Sequence, residues 1–259
     1  MERYTINGIF LGTGTSQGVP VIGCNCAVCH SQDKRDKRLR TAFFLDVNGV
    51  HFVIDAGCDF RQQMLTNNIT SLDAILITHE HKDHMAGLDD IRPFNFMKHE
   101  PLPIFAEQRV VEAIKREYSY VFKEHPYPGA PMMNVQEITE EAFSYKGITI
   151  QPLRVNHMTL PIFGYRIGQF AYITDASFIP ETTMKLLEGV DILVINALRF
   201  REHYSHFNVS QAIEVIQKIK PRQAYLTHCS HDIGFYEKTS KTLPPDIFLA
   251  YDNLQIHCL

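Results

Sequence analysis

The sequence predicts an α/β layered fold, on three observations. Short apolar runs such as residues 6–11, 51–55 and 74–78 recur along the chain and are typical of buried strands. Helical periodicity appears between such runs, at residues 107–121 and 209–219. Because groups of strands alternate with helices, we expect helices packed on sheets, not a helical bundle or a pure β-sandwich.

The other elements follow the same patterns. Two shorter helices are predicted at residues 60–65 and 182–187. In helix 107–121 the apolar residues Val110, Val111 and Ile114 share one face. The remaining predicted strands are residues 41–47, 103–106, 148–155, 170–174, 191–197, 223–227 and 247–251.

The chain is predicted to form a single domain, residues 1–259, made of two similar halves. The halves cover about residues 1–125 and 132–259, separated by a proline-rich connector at 125–131. Each half contains a strand that ends in Asp (Asp55, Asp175) and a strand that ends in Thr-His (His79, His228). We therefore expect these four residues to meet at one shared edge.

The composition excludes several classes of protein. Hydrophobic residues at 45% and charged residues at 21% are globular values, which exclude a disordered chain. The net charge of −4 argues against a protein whose main function is to bind the nucleic-acid backbone. No signal peptide and no apolar run of about 20 residues is present, so we expect a cytoplasmic protein without a membrane contact.

The strongest chemical signal is a His-x-His-x-Asp-His string directly after the predicted strand 74–78. Imidazole and carboxylate are ligands that zinc, manganese and iron accept, and open positions for water would make such a site catalytic. Further donors of the same kind follow three other strands. The candidate metal ligands are His79, His81, Asp83, His84, His157, Asp175 and His228.

This set resembles the metallo-β-lactamase superfamily of dinuclear hydrolases over the whole chain. The resemblance implies a four-layer αββα sandwich. It also implies that Asp175 bridges two metal ions together with a water or hydroxide, and that Asp55 orients ligands without binding metal. One ion would be held by His79, His81 and His157, and the other by Asp83, His84 and His228.

Three cysteines, Cys24, Cys26 and Cys29, point to one subgroup of this superfamily. The cysteines follow a Gly-Thr-Gly loop in the chain. This order and spacing resemble those of the PhnP-type cyclic phosphodiesterases, which are relatives of ribonuclease Z. In that subgroup three cysteines and a late histidine bind a structural zinc, and the matching histidine here is His231. Cys229 or His30 are alternative fourth ligands.

The expected catalytic residues are Asp83 and His206. The resemblance implies that His206 contacts phosphate and protonates the leaving oxygen, with His203 as its competitor. Arg92 and Arg199, and more weakly Lys98 and Arg201, are candidates for binding a second phosphate.

The expected function is hydrolysis of a small phosphodiester, cyclic or linear, with two catalytic divalent ions (zinc or manganese) and one structural zinc. Hydrolysis of a thioester or lactone is an alternative, as is a non-catalytic carrier similar to the relative in pyrroloquinoline quinone biosynthesis. Only residues 158–174 separate His157 from Asp175, where ribonuclease Z commonly carries a basic arm, so tRNA is not expected as a partner. A homodimer is expected on superfamily grounds alone.

Overall fold

Three apolar clusters divide the structure into four layers. The computed structural model describes residues 2–258. A central cluster joins side chains of two sheets, such as Phe43 and Leu45 from one and Phe163 and Tyr172 from the other. A second cluster lies between the first sheet and its helices, and a third lies between the second sheet and its helices. The predicted αββα sandwich is therefore confirmed.

Each sheet has seven strands. In the first, the order is β14-β1-β2-β3-β4-β5-β6, and in the second it is β13-β12-β11-β10-β9-β8-β7. The first sheet contains β1 (Ile6–Gly12), β2 (Ala42–Val47), β3 (Val50–Ile54), β4 (Ala74–Leu76), β5 (Leu102–Ala106), β6 (Met133–Glu137) and β14 (Gln255–Cys258). The second contains β7 (Phe143–Tyr145), β8 (Ile148–His157), β9 (Leu160–Ile167), β10 (Phe170–Ile173), β11 (Ile192–Asn196), β12 (Gln223–Thr227) and β13 (Ile247–Leu249).

In the part of the chain that the structure describes, seven α-helices flank the sheets. They are α1 (Phe60–Thr66), α2 (Lys82–Met85), α3 (Arg92–Lys98), α4 (Gln108–Glu117), α5 (Glu181–Leu186), α6 (Val209–Ile219) and α7 (Tyr236–Ser240). Helix α6 begins at a capping box in which Asn208 and Gln211 satisfy each other's backbone N–H groups. Within residues 2–258, every helix is too short or too polar to cross a bilayer.

The two sheets repeat one arrangement, which explains the echo in the sequence. Strands β3 and β4 run parallel, and so do β10, β11 and β12. The carboxyl ends of parallel strands meet at one edge of a sheet, where ligand sites form. Asp55 follows β3, Asp175 lies just beyond β10, and His228 follows β12.

The chain crosses between the sheets later than predicted. The connector at 125–131 lies between α4 and β6, which both belong to the first half of the sandwich. The crossing occurs between Glu137 and Phe143. The C-terminal strand β14 then returns to the first sheet beside β1, so the second half is not confined to the second sheet.

A partly buried carboxylate, Asp73, ties three elements together before β4. It accepts hydrogen bonds from the backbone N–H of His51 at 2.9 Å and from the ammonium groups of Lys98 at 2.8 Å and Lys146 at 2.7 Å. Burial raises the pKa of Asp73, but these three donors outweigh it and lower the pKa to about 2. Lys98 is thus a structural ion-pair partner here.

We expect Asp73→Asn to destabilise the protein by about 1–2 kcal/mol at pH 7, allowing for solvent screening of the two lysines. Because the folded-state pKa is depressed, the stabilisation is present above pH 4, near the unfolded-state value, and is lost as the pH falls toward about 2. Urea unfolding of both metal-stripped proteins at pH 7 and pH 3 measures this. An equal difference in unfolding free energy at both pH values would contradict it.

Candidate metal centre and active site

The His-x-His-x-Asp-His string is part loop and part helix. His81 is the N-cap of α2 in an extended conformation, and Asp83 and His84 lie in the first turns of that helix. The change from extended to helical backbone within these six residues brings the three imidazoles together. The ring centroids of His79 lie 4.5 Å from those of His81 and 4.1 Å from those of His84.

Asp55 fixes the orientation of His84. The Nδ1–H of His84 donates to the Asp55 carboxylate at 2.7 Å, and Thr78 donates to the same carboxylate from its backbone N–H at 2.8 Å and from its hydroxyl. This leaves Nε2 of His84 facing the centre. Asp55 thus lies behind His84, one of the predicted ligands, and contacts the ring on the side away from Nε2.

Four donors form a compact group suited to one metal ion: Asp83, His84, Asp175 and His228. With metal–donor bonds of about 2.0–2.2 Å, ligands around one ion lie about 3.0–3.6 Å apart. Here Nε2 of His84 lies 3.2 Å from the Asp83 carboxylate and 3.4 Å from that of Asp175. Nε2 of His228 lies 3.1 Å from Asp175 and 3.8 Å from Asp83. The group fits an ion with only small adjustments.

The other predicted ligands lie on the opposite side of Asp175. Nε2 of His79 is 3.9 Å from Oδ2 of Asp175, and the ring of His81 is 5.3 Å from that of His157. His157 donates from Nδ1 to the carbonyl of Ser205 at 2.8 Å, which turns its Nε2 toward the centre. The structure brings all seven predicted ligands into one cluster.

The chemistry of the cluster fits metal ions better than a metal-free core. Nε2 of His79, His84 and His228 is buried in each case and has no hydrogen-bond partner among the described residues. Burial lowers the pKa of His79 well below its ordinary value, so its imidazole is neutral and able to coordinate. Buried polar atoms without partners are costly, and a bound cation would satisfy all three.

Asp175 occupies the centre between the two groups. One carboxylate oxygen lies near His84 and His228, and the other lies near His79. Its φ of 56° is in the left-handed region, as are the φ angles of Asp55 (65°) and His228 (54°). Such backbone strain persists where the surroundings impose it and is frequent at functional sites.

Asn196 holds the Asp175 turn in place. Its side-chain amide accepts from the backbone N–H of Ala176 at 2.8 Å and donates to the Ala176 carbonyl at 2.9 Å. The sequence patterns did not indicate a role for Asn196, Thr78 or Ser205 at this site. The available signal for Asn196 was its position as a polar residue at the carboxyl end of an apolar parallel strand, but its contact with the next turn depends on tertiary structure.

His206 lies directly beside the predicted metal ligands. Its Nδ1 is 4.0 Å from Oδ2 of Asp175, and its ring lies 4.7 Å from that of His157 and 4.9 Å from that of His228. With His157 and Asp175 it forms a further group able to hold an ion. His203 lies farther out, with its ring 5.3 Å from that of His206.

The three cysteines meet His231 in a second cluster. Nδ1 of His231 lies 3.4, 3.2 and 3.5 Å from the sulfurs of Cys24, Cys26 and Cys29. A tetrahedral zinc site places sulfur and nitrogen ligands about 3.5 Å apart. The backbone N–H of Cys29 donates to the sulfur of Cys26 and lowers its pKa to about 6, which favours the thiolate. This geometry fits a closed structural zinc site.

The alternative fourth ligands lie elsewhere. The ring of His30 is exposed, and its Nδ1 contacts the carbonyl of Cys26 at 3.1 Å. Cys229 is buried beneath the N-terminal loop, where its backbone N–H donates to the Thr13 carbonyl. The cluster therefore contains His231, as the resemblance implied.

The predicted phosphate-binding arginines are engaged by carboxylates. Arg92 pairs with Asp89 in the adjacent turn, so the geometry gives no support to a substrate contact there. Arg199 pairs with Asp232 at 3.1 Å, but it lies in the loop that contains His203 and His206. Of the two, only Arg199 shares a loop with His206.

The family comparison agrees with this geometry. The sequence model of the β-lactamase superfamily domain matches residues 51–229. The chain belongs to this superfamily. The crystal structure described as a new diphosphatase from the PhnP family is 37% identical, with a TM-score of 0.92, and the alignment covers 98% of this chain and 97% of that one. The predicted membership of the PhnP branch of this superfamily is confirmed.

Two curated relatives extend the comparison. An octanoyltransferase of Porphyromonas gingivalis is 43% identical over 250 residues, which are 95% of this chain and 50% of the relative. A ribonuclease Z of Mycobacterium sp. is 26% identical over 182 residues, which are 63% of this chain and 64% of the relative. This superfamily member thus spans about half of the first relative and less than two thirds of the second.

Proposed function

We propose that the protein is a dinuclear metal-dependent phosphodiesterase that acts on small phosphodiesters. The observation that carries the proposal is the position of Asp175, whose two carboxylate oxygens reach both groups of histidines. The similarity to a PhnP-family diphosphatase over nearly the whole chain supports phosphoryl chemistry. Zinc or manganese suits the donor set, which consists of imidazoles and carboxylates.

Charge makes the centre suitable for a small anion. Two divalent ions, held by the seven ligands, would lower the pKa of a water molecule and withdraw charge from the phosphoryl oxygens. Their charge would exceed that of the three buried carboxylates, Asp55, Asp83 and Asp175, by one positive unit. The net charge of −4 over the whole chain disfavours a long polyanion such as tRNA, but a local positive charge attracts a single phosphodiester.

His206 is positioned to act on the leaving group. Burial lowers its pKa to about 3, so in the protein without substrate its imidazole is neutral and carries one N–H. A phosphodiester anion beside the ring would raise that pKa, because a negative neighbour favours the imidazolium. The ring would take up a proton from solvent as the anion binds and, as the imidazolium, would donate that proton to the departing oxygen and return to the neutral form.

We expect His206→Ala to lower kcat by roughly 10²–10³-fold and to leave the metal content unchanged. His203→Ala, which removes the neighbouring imidazole, should lower kcat less than tenfold. Steady-state kinetics and elemental analysis of both variants measure this. Loss of metal from His206→Ala would show that His206 is a ligand and would contradict the role proposed for it.

A substrate panel tests the proposed reaction. We expect the metal-loaded protein, with manganese added, to hydrolyse bis(p-nitrophenyl) phosphate with a kcat/KM at least tenfold above that for octanoyl-coenzyme A. Protein stripped with a chelator should hydrolyse neither, and added metal should restore activity. Turnover of the thioester alone, or of neither substrate by the loaded protein, would overturn the proposal.

The second candidate function is hydrolysis of an acyl thioester. The observation that favours it is the 43% identity to a protein named octanoyltransferase, although this chain spans only half of that relative. A cavity of about 790 Å³ between α5 and α6 would suit an acyl chain. Phe207, which directly follows His206, lines this cavity together with Phe178, Met184 and Val215.

A further inference from the structure

An aromatic ring stands exposed at the edge of the metal centre. Tyr204 is 75% exposed, and its ring stacks on that of His203 at 4.5 Å with an angle of 26° between the planes. A tyrosine ring buries a large area when a ligand packs on it, and this burial favours binding. A ring that is held flat against an imidazole and left open on its other face is therefore suited to receive a second flat group.

The loop that contains this pair is fixed at its base. The backbone N–H of Leu198 donates to the Phe207 carbonyl at 2.9 Å, which closes the loop. Inside the loop, the guanidinium of Arg199 donates to the Glu202 carbonyl at 3.2 Å. The loop thus presents its tip in a defined position, which reduces the entropic cost of binding.

The loop also sets the orientation of the rings. The Ser205 hydroxyl lies 3.1 Å from Nδ1 of His203, and the Ser205 carbonyl accepts from His157 in the metal cluster. The Tyr204–His203 pair is thereby linked to a predicted metal ligand through one residue. The position of this ring pair relative to the centre is fixed by two hydrogen bonds of Ser205, one from its side chain to His203 and one from His157 to its carbonyl.

A continuous series of rings leads from Tyr204 to the metal centre. His203 lies 5.3 Å from His206, and His206 lies 4.9 Å from His228. Two ring-to-ring steps therefore separate the exposed tyrosine from the residue proposed to act on the leaving group.

We propose that Tyr204 and His203 bind the nucleobase of a nucleotide phosphodiester whose phosphate lies at the metal centre. The inference rests on the proposed phosphodiesterase function and names its substrate class. Every nucleobase has a π-face, and stacking on an aromatic side chain depends little on which base is present. The platform would select nucleotides over base-free phosphodiesters without selecting one base.

Two substrates with the same leaving group provide the kinetic test: the p-nitrophenyl ester of thymidine monophosphate and methyl p-nitrophenyl phosphate. We expect Tyr204→Ala to raise KM for the nucleoside ester about tenfold, with kcat within twofold, and to leave both constants for the methyl ester unchanged. Tyr204→Phe should behave as the wild type. Tyr127→Ala, which removes a half-exposed tyrosine elsewhere, should change neither substrate.

A binding test separates this inference from the proposed function. By calorimetry on the metal-loaded protein, AMP should bind at least tenfold more tightly than ribose 5-phosphate, and Tyr204→Ala should abolish that difference. Equal affinities in the wild type, or an equal loss for both ligands, would overturn the inference even if phosphodiesters are cleaved. Conversely, base-dependent binding without turnover of either ester would overturn the proposed function alone. A shift from dimer to monomer in Tyr204→Ala, with AMP binding unchanged, would assign the ring to contact with a second copy and would also overturn the inference.

Discussion

Asp175→Asn will remove the metal ions of the histidine cluster and lower kcat at least about a thousandfold. One carboxylate lies within 3.4 Å of Nε2 of both His84 and His228 and also approaches His79. An amide at the same position lacks the negative charge and offers only one acceptor oxygen. Both groups of ligands therefore lose their common donor at once.

The stripped protein should also be affected. Burial raises the pKa of Asp175, but the imidazoles of His228 and His84 outweigh it and hold that pKa well below its ordinary value, so the charge stabilises the folded state. Asn tolerates a φ of 56°, so the backbone turn itself should be kept. We expect the melting temperature of metal-stripped Asp175→Asn to lie modestly below that of the stripped wild type, and the difference to be larger in the presence of metal. Asp73→Asn is the matched control, since it removes another carboxylate with a depressed pKa and should retain full metal content.

A variant that keeps all of its metal and turns over at the wild-type rate would show that Asp175 is not the shared ligand. Loss of metal together with loss of a cooperative thermal transition in the stripped protein would instead indicate a folding defect. Thermal melts of the stripped and loaded forms, combined with elemental analysis, separate these outcomes.

Cys26→Ser will release the structural zinc and lower the melting temperature by about 10 °C. The site joins an N-terminal loop to His231 near the end of the chain. In the same region the Thr15 backbone N–H donates to Cys229 at 3.2 Å, and the Cys229 N–H donates to Thr13 at 2.8 Å. Without zinc, the loop would lose its link to His231 and would be held beside the strand end that positions His228 by hydrogen bonds only.

Cys58→Ser is the matched control for this prediction, because Cys58 is exposed and lies outside the cysteine cluster. It should change neither zinc content nor melting temperature. Cys26→Ser should lose one metal ion per chain and keep the catalytic ions. An unchanged zinc content in Cys26→Ser would contradict the assignment of this residue as a ligand.

The α/β layering could be predicted from the sequence, and the candidate metal ligands could be selected, because both show in local patterns; the order of the four layers came from the resemblance. Apolar strands that end in Asp or His predict a polar edge, and that edge holds Asp55, Asp175 and His228. The helix at 209–219 was predicted with its observed bounds, since Asn208 caps it and its apolar period is regular. Helix α4 ends at Glu117, earlier than predicted, because Tyr118 leaves the helical conformation.

Other elements depend on contacts between distant parts of the chain. Strand β9 is a nearly continuous apolar run with Pro161 as its second residue, so it lacks the alternation of apolar and polar residues that marks a half-buried strand. Strands β6, β7 and β14 are short strands at sheet edges, and β14 exists because it pairs with β1. The contact of Asn196 with the Asp175 turn and that of Ser205 with His157 likewise require the folded chain.

The metal content of the purified protein tests the central claim most directly. Elemental analysis of wild type, saturated with zinc or manganese and then desalted, should give about three ions per chain, of which at least one is zinc. Asp175→Asn should retain only the zinc of the cysteine cluster. One ion or none in the wild type would contradict the assignment of the histidine cluster as a dinuclear centre.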